Sequence, residues 1–326
     1  MRDDHPSTLL PPAPSGEKIV TFLTNLSKEY APPPTPGEYP TVGNSSNPSA
    51  IFNLFKNKKF SDLVQSLASQ TTKTDIETYL KQRLVHPESI DQGSTSLCGP
   101  AAFFYCLASK RPELYTRYVV EMALYGKVHL SLGGTGSNGL TVDAPIALLK
   151  PCPGIDIVDW ITLGTLRSGD NPVLGLECKH SMVNDFASIT KPESIASWFR
   201  RIGCSDVTME TQLLHTQGID NLVRAQNKVA LGHSVCLLIQ SNILDSYAYR
   251  KPLHPPTFHP DHWIVLTSNI QLDGSQLFTN LSRNSNVSAS LKGLTFQVYS
   301  WGNKYPCQFE PEVFLKYYHG FVSARW

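Results

Sequence analysis

The stretch of sequence that decides the fold is a short polar loop that runs directly into an apolar helix. Over residues 91–102 it reads Asp91-Gln92-Gly93-Ser94-Thr95-Ser96-Leu97-Cys98-Gly99-Pro100-Ala101-Ala102. Small polar residues favour a loop as far as Gly99, and proline is tolerated in the first turn of a helix. The apolar run from Ala101 to Ala108 continues that helix, so Cys98 is predicted at the junction of loop and helix.

A thiol at this junction is a candidate nucleophile. The N-terminus of a helix has unpaired N–H groups and the positive end of the macrodipole, and both favour a thiolate. We therefore expect the pKa of Cys98 to fall from about 8.5 toward neutrality. A thiolate is the attacking species when a cysteine enzyme transfers an acyl group.

Two further residues complete a catalytic set. His262 opens the apolar stretch from His262 to Thr267, which predicts a strand, and an imidazole suits proton transfer at neutral pH. Gln92 lies six residues before Cys98. Its amide and the backbone N–H of Cys98 could donate to the oxyanion of a tetrahedral intermediate. One such donor typically contributes about 3 kcal/mol.

These residues carry a resemblance to the papain-like cysteine peptidase superfamily. The Gln-Gly-Ser run six residues before Cys98 resembles the loop that precedes the nucleophile in the papain family. The helix opening from Cys98 to Ala102 resembles that of a bacterial, effector-type branch of the same superfamily. The sequence Tyr299-Ser300-Trp301-Gly302 resembles the family's Asn-Ser-Trp-Gly signature, which follows the histidine there as it follows His262 here.

The resemblance implies an α+β, papain-like fold. In that fold an N-terminal helical part, which includes the nucleophile helix, packs on a C-terminal antiparallel sheet. It also implies that Trp301 shields the hydrogen bond between His262 and a third catalytic residue. Gly99 and Trp263, the neighbours of the two main residues, become candidates for the substrate cleft.

The identity of the third residue is left open by the sequence. The position that matches the family's asparagine is Tyr299, whose phenol differs in geometry from a carboxamide. Asn303 is an equal candidate for orienting His262, and Asp273 and Asp261 are further alternatives. A mechanism with cysteine and histidine alone and an inactive, non-catalytic member of the family are also compatible with the sequence.

The pattern along the chain predicts one domain behind an arm. Residues 1–48 contain ten prolines and are interpreted as a flexible arm, followed by the hydrolase domain over 49–326. Helical spacing dominates residues 49–232 and strand patterns dominate residues 233–326, which indicates an α+β arrangement.

Individual elements are predicted from spacing and punctuation. Helices are expected over 51–67, 75–85 with Thr74 as N-cap, 101–108, 112–125 with Gly126 as C-cap, 192–201 and 218–231. Strands are expected over 234–240, 262–267 and 294–299, with a hairpin turn at Asp273-Gly274 and a helix or strand over 313–322.

Composition limits the class of partner. Of 326 residues, 41% are hydrophobic and 17% charged, and the net charge is +1, which argues against nucleic acid and against an anionic membrane surface. The sequence contains no run of eighteen apolar residues, so no membrane-spanning helix is predicted. The N-terminus lacks the apolar core of a secretory signal. We expect the protein in the cytoplasm or exported by a specialised secretion system into a target cell. A secretion-system or immunity protein would then be a partner.

Cofactors and metals are not expected. Seven cysteines without a Cys-x-x-Cys pair argue against a zinc ribbon and against a disulfide framework, and most are interpreted as small buried hydrophobic residues. His254, His259 and His262 lie near Asp261 but lack the spacing of a metal site. The glycine-rich run from Gly133 to Gly139 lacks the lysine of a phosphate loop and is interpreted as a mobile loop.

The function predicted from these residues is that of a thiol hydrolase. Cys98 would attack an amide carbonyl of a protein or peptide substrate, so the chain is predicted to be a cysteine protease, in the setting of a bacterial secreted effector or toxin. Glutamine deamidation and cleavage of peptidoglycan amides follow the same chemistry. The rival hypothesis is a non-catalytic binding protein that retains the fold.

Overall fold

The computed structural model describes residues 73–133, 138–143, 152, 154–170, 189–249, 252–257, 259–276 and 293–326. Together these residues form a mixed α+β structure in which helices pack on an antiparallel sheet. The predicted arm over 1–48 and the helical pattern over 51–67 lie outside the described residues. Residues 134–137 of the glycine-rich run also lie outside them.

Along the chain, helices occur before, between and after the strands of the sheet. They are α1 (Lys73–Val85), α2 (Cys98–Lys110), α3 (Pro112–Tyr125), α4 (Ile157–Asp159), α5 (Thr165–Asp170), α6 (Pro192–Ile202), α7 (Ile219–Ala230), α8 (Ser241–Tyr249) and α9 (Pro311–Leu315). A 3-10 turn (Pro87–Ser89) follows α1, and a π-helical segment (Trp160–Gly164) joins α4 to α5.

The strands form a two-stranded hairpin and one large sheet. They are β1 (Lys127–Leu130), β2 (Leu140–Asp143), β3 (Ser205–Thr211), β4 (Ser234–Ile239), β5 (His262–Leu266), β6 (Gln271–Leu272), β7 (Ser275–Gln276), β8 (Leu294–Ser300), β9 (Asn303–Phe309) and β10 (Tyr318–Arg325). β1 pairs with β2, and the sheet has the order β3-β10-β4-β5-β8-β6-β7, with β9 also paired to β8. Every pair between described strands is antiparallel.

Most of the elements predicted from the sequence are confirmed. The helices expected from residue 101 onward and the three expected strands are present, with ends that differ by no more than three residues. Gly126 ends α3 in the left-handed conformation at φ 64°, as a C-cap should. Asp273 and Gly274 turn between β6 and β7, both at positive φ. Residues 313–322 contain both alternatives, because α9 ends there and β10 begins.

Several features differ from the sequence-based expectation. Thr74 lies inside α1 and so does not cap it. The β1–β2 hairpin and strands β3 and β9 were not predicted. β3 lies within residues 49–232, where helices were expected to dominate, yet it forms an edge of the large sheet. Its side chains are largely exposed or half-buried, so it lacks the apolar pattern by which a strand is recognised.

The sheet separates two hydrophobic cores, and β5 contributes to both. Trp263 and Val265 point into the core that contains α2, whereas Ile264 and Leu266 point into the core beneath α7 and α9. This division follows from the two-residue repeat of side chains on a strand. Because both faces are covered, β4 and β5 read as continuous apolar runs, and all of their residues are buried.

Helix α2 is the central helix of the first core. All of its residues from Cys98 to Ala108 are buried, and it packs directly against β5. The ring of Phe103 makes edge contacts with Phe104 and Trp198 at centroid distances of 5.4 and 5.7 Å. Each fully buried large apolar side chain contributes about 1.5–3 kcal/mol relative to exposure, which fixes this helix beneath the sheet.

The cysteines are mostly buried and free, as expected. Cys98, Cys106, Cys204, Cys236 and Cys307 are free thiols in the interior. Cys152 differs, because it is disulfide-bonded. Cys152 is buried like the others, with 5% of its surface exposed, so it departs from the expectation only in its disulfide bond.

Two kinds of feature are missing from the residues that the structure describes. None of their helices is long and apolar enough to cross a membrane. Among the same residues, no group of three or more His, Cys, Asp or Glu side chains is arranged to hold a metal ion.

Gly320 provides a test of how tightly the sheet is packed. It lies in β10 at φ 115°, and a Cβ there would approach the carbonyl oxygen of Glu210 on β3 to 2.1 Å. We expect Gly320→Ala to lower the free energy of unfolding by more than about 3 kcal/mol, because strain and collision add. Gly274→Ala, at φ 80° with nothing within 4 Å, should cost only about 1–2 kcal/mol. Urea unfolding measures both, and equal losses would contradict the packing described here.

Candidate active site

Cys98 is the first residue of α2. Leu97 precedes it as N-cap without a side-chain hydrogen bond, and the first backbone bond of the helix runs from the N–H of Ala101 to the carbonyl of Leu97. The first N–H groups of a helix have no partner within it. The thiol therefore lies beside unpaired donors, as the sequence predicted, but its residue is only 3% exposed.

The sulfur of Cys98 lies at the start of β5. The backbone N–H of Trp263, the residue that follows His262, lies beside it, and so does the N–H of Gly99. These donors and Arg167 lower the pKa of the thiol, but burial outweighs them and raises it to about 11, with a smaller contribution from Asp261. The expectation of a pKa near neutrality is wrong because desolvation destabilises the thiolate more than the helix N-terminus stabilises it.

Glycine is required at position 99 because Thr190 lies directly over the start of α2. A Cβ on Gly99 would lie 2.3 Å from the Cβ of Thr190, so only glycine allows this approach. The carbonyl of Thr190 accepts a hydrogen bond of 2.8 Å from the indole Nε1 of Trp263. Thr190 thus bridges the start of α2 and the start of β5, and Gly99 and Trp263 belong to the immediate surroundings of Cys98.

His262 is the first residue of β5 and is 3% exposed. Its Nε2 is 2.7 Å from the Oγ of Ser300, the last residue of β8. The ring of Trp301 stacks on the imidazole with centroids 4.4 Å apart and planes 18° apart. The expected contact between Trp301 and His262 is therefore present, and it covers one face of the His262 imidazole.

The hydrogen-bond partner of the His262 Nε2 is a residue that sequence reasoning missed. Tyr299 points away, since its hydroxyl donates to the carbonyl of Ile90 at 2.7 Å and its ring stacks on Tyr105. Asn303 is exposed at the start of β9. Ser300, and neither Tyr299 nor Asn303, is thus the residue that hydrogen-bonds to the His262 Nε2.

The alternation of side chains on a strand explains this result. Tyr299 is opposite Val265 in the β5–β8 pairing, and Val265 faces the core that contains α2. The next residue, Ser300, therefore faces the other side of the strand pair, and its Oγ meets the His262 Nε2 where β8 ends and β5 begins. Matching the Ser-Trp-Gly letters alone puts Tyr299 at the family's asparagine position, whereas the register of the strands puts Ser300 beside the imidazole.

The two aspartates that were considered as alternatives have other roles. The carboxylate of Asp261 accepts hydrogen bonds from the backbone N–H and the hydroxyl of Ser241, at 2.5 and 2.8 Å. It thereby ties the residue before His262 to the start of α8. Asp273 lies in the turn between β6 and β7.

Gln92 is buried in the loop that leads to Cys98. Its amide Nε2 donates to the carbonyl of Thr95 at 3.0 Å, and the carbonyl of Gln92 accepts from the Thr95 hydroxyl at 2.7 Å. A carboxamide has two N–H donors, so this turn uses one of them. The turn holds Gln92 close in sequence and in space to the start of α2.

The Gln92 loop also contacts the turn that carries Trp301. Asp91 packs against Gly302, where a Cβ would come within 3.1 Å of the Asp91 Cβ. The hydrogen bond from Tyr299 to Ile90 joins the same two segments. The fold therefore brings together three sequence islands that are far apart along the chain, around Gln92 and Cys98, around His262, and around Trp301.

The pH dependence of alkylation tests the environment of Cys98. Because burial raises its pKa to about 11, the sulfur is protonated at neutral pH and ionises only as the pH rises toward that value. We expect its alkylation by iodoacetamide to accelerate about tenfold per pH unit between about pH 7 and pH 10. Mass spectrometry of the Cys98 peptide measures the rate, with the Cys307 peptide as a buried reference. A plateau above pH 7 would show a thiolate at neutral pH and contradict the structure.

The chain was also compared with known proteins. No family model, no curated protein and no solved structure matches it. The assignment of function therefore depends on the geometry of Cys98, His262 and Ser300.

Proposed function

We propose that this protein is a thiol hydrolase with a papain-like fold, in which Cys98 attacks an amide carbonyl and His262 is the base. The observation that carries the proposal is the position of the Cys98 thiol beside the backbone N–H of Trp263, which lowers the pKa of the thiol. This position places the nucleophile at the strand residue next to His262. The pairing of His262 with Ser300 and its stacking on Trp301 support the same assignment.

The fold assignment is supported by the order and convergence of the motifs. Gln92, Cys98, His262 and Trp301 occur in the family's order, on the element types that the resemblance implies. A buried helix that begins at the nucleophile packs on the antiparallel sheet whose strand begins at His262.

The raised pKa of Cys98 determines which mechanism is proposed. A neutral thiol is a poor nucleophile, so His262 must take its proton as the sulfur attacks the carbonyl carbon. The carbonyl π electrons move to oxygen and form a tetrahedral oxyanion, which the backbone N–H of Cys98 and the second N–H of Gln92 stabilise. When the C–N bond breaks, the imidazolium returns the proton to the leaving amine, and an acyl group remains on sulfur.

Hydrolysis of this acyl-enzyme completes the cycle. His262 takes a proton from water, the resulting nucleophile attacks the thioester, and the thiol leaves and recovers its proton. Ser300 holds the imidazole in one orientation throughout by bonding its Nε2. The substrate is proposed to be a protein or peptide, and the side-chain amide of glutamine and the amides of peptidoglycan would react in the same way.

A small activated ester tests the catalytic centre without knowledge of the substrate. p-Nitrophenyl acetate should acylate Cys98 and release a burst of p-nitrophenol equal to the enzyme concentration, which absorbance at 405 nm measures. The burst should vanish in Cys98→Ala and persist in Cys307→Ala, which removes another buried free thiol. His262→Ala should slow acylation by about 10²–10⁴-fold. A burst that survives in Cys98→Ala would sink the proposal.

The natural reaction can be identified with the same variants. Wild type and Cys98→Ala are incubated with whole-cell lysate and with purified peptidoglycan, and the products are analysed by mass spectrometry. New protein termini indicate proteolysis, conversion of glutamine to glutamate indicates deamidation, and released muropeptides indicate an amidase.

A non-catalytic binding protein is the second candidate. The observation in its favour is the burial of Cys98, because a thiol that is neutral at pH 7 need not react. The ester experiment separates the two candidates, since a binding protein would be acylated at Cys98 no faster than at its other buried thiols.

Substitution of Ser300 tests the catalytic assignment. Loss of one hydrogen bond to His262 amounts to about 1.4 kcal/mol, so Ser300→Ala should slow acylation of Cys98 by p-nitrophenyl acetate about tenfold. Asn303→Ala, on the exposed first residue of β9, should leave the rate unchanged. The reverse pattern, a slow Asn303→Ala and a normal Ser300→Ala, would return the orienting role to Asn303.

A further inference from the structure

A buried ionic cluster lies directly behind the Gln92 loop. Arg83 of α1, 4% exposed, forms ion pairs with Asp156 and Asp159, and the side chain of Asp159 is only 1% exposed. The guanidinium contacts Asp159 twice, with Nη2 2.6 Å from Oδ2 and Nε 3.3 Å from Oδ1. Burying these charges costs desolvation free energy, which their mutual attraction need not exceed. A stabilising effect is therefore a weak explanation for a cluster of this kind.

The cluster has a partner outside the helices. The backbone N–H of Asp91 donates to Oδ2 of Asp159 at 2.8 Å, so one carboxylate oxygen accepts from both Arg83 and the loop. The adjacent aspartate, Asp156, makes no such contact. Its Oδ1 accepts from the N–H groups of Val158 and Asp159 at the start of α4, and its Oδ2 pairs with Arg83.

Asp91 transmits this contact to the residue that follows it. Its backbone is fixed by Asp159, and its side-chain Oδ1 accepts from the N–H of Gly93 at 2.9 Å. Gln92 is thus held between Asp91 and Gly93, which this hydrogen bond links to each other. A backbone N–H bound to a charged acceptor is held more firmly than one bound to a neutral carbonyl.

We propose that Asp159 is a positioning residue for the oxyanion donor, which fixes the loop at Asp91 so that the Gln92 amide is held beside Cys98. This inference rests on the proposed thiol hydrolase function. Asp159 does not touch the reacting atoms and acts through the backbone of Asp91. Arg83 neutralises the carboxylate and keeps it in place.

Two reactions of the same sulfur separate positioning from general damage. Acylation by p-nitrophenyl acetate passes through a tetrahedral oxyanion, whereas alkylation by iodoacetamide is a direct displacement that forms none. The ratio of the two rates at Cys98 therefore reports the oxyanion donors, independently of the reactivity of the thiol. A substitution that only loosens the fold should change both rates together.

The variant is Asp159→Asn, and its matched control is Asp156→Asn. Both remove one carboxylate from Arg83, but only the first alters the acceptor of the Asp91 N–H. We expect Asp159→Asn to lower the acylation-to-alkylation ratio at least about tenfold, toward the loss seen when an oxyanion donor is removed. Asp156→Asn should leave the ratio within twofold of wild type.

Hydrogen exchange provides a second measurement that does not depend on activity. Amide exchange in the peptide that covers residues 90–97 should accelerate in Asp159→Asn and stay unchanged in Asp156→Asn. If Cys98 of the wild type is acylated but both variants keep the wild-type ratio and exchange, the positioning role is wrong and the proposed function stands. If the wild type shows no acylation of Cys98, the proposed function itself fails.

Discussion

The whole site depends on the burial of one helix end beneath one strand end. The first residue of α2 places a thiol against the backbone N–H of Trp263, and the first residue of β5, His262, is its chain neighbour. Nothing local holds these two ends together, because more than 160 residues separate them in sequence. The apolar packing of α2 from Cys98 to Ala108 against β5 holds them together.

This burial also determines the chemistry. In an exposed cysteine, a helix N-terminus and two N–H donors would lower the pKa of the thiol. Here the desolvation of the thiolate outweighs them and raises the pKa of Cys98. The same close packing requires glycine at position 99, since Thr190 occupies the space of a side chain there. In the proposed mechanism a neutral resting thiol requires the imidazole of His262 as a base, which gives weight to the groups that contact that imidazole.

Two polar contacts organise the surroundings of the thiol from opposite sides. On the sheet side, Ser300 binds His262 and Trp301 covers its ring. On the helical side, the carboxylate of Asp159 holds the backbone of Asp91 next to Gln92. Asp91 in turn packs on Gly302, so the two sides meet at the turn after β8. Polar groups buried in this way must be satisfied, which is why each has a defined partner.

The sequence by itself determined many of the helices and strands and the candidate nucleophile. Apolar periodicity, prolines and glycines located α2, α3, β4, β5 and β8, and the loop-to-helix junction singled out Cys98. It could not determine Ser300, because the face on which a strand residue points depends on the register with β5, and Tyr299 fitted the motif letters better. Nor could it show the raised pKa of Cys98 or the contact of Asp159 with Asp91, since burial and contacts between distant segments exist only after the chain has folded. Local signals fix where a helix or strand begins, whereas desolvation and cross-strand register are properties of the packed molecule.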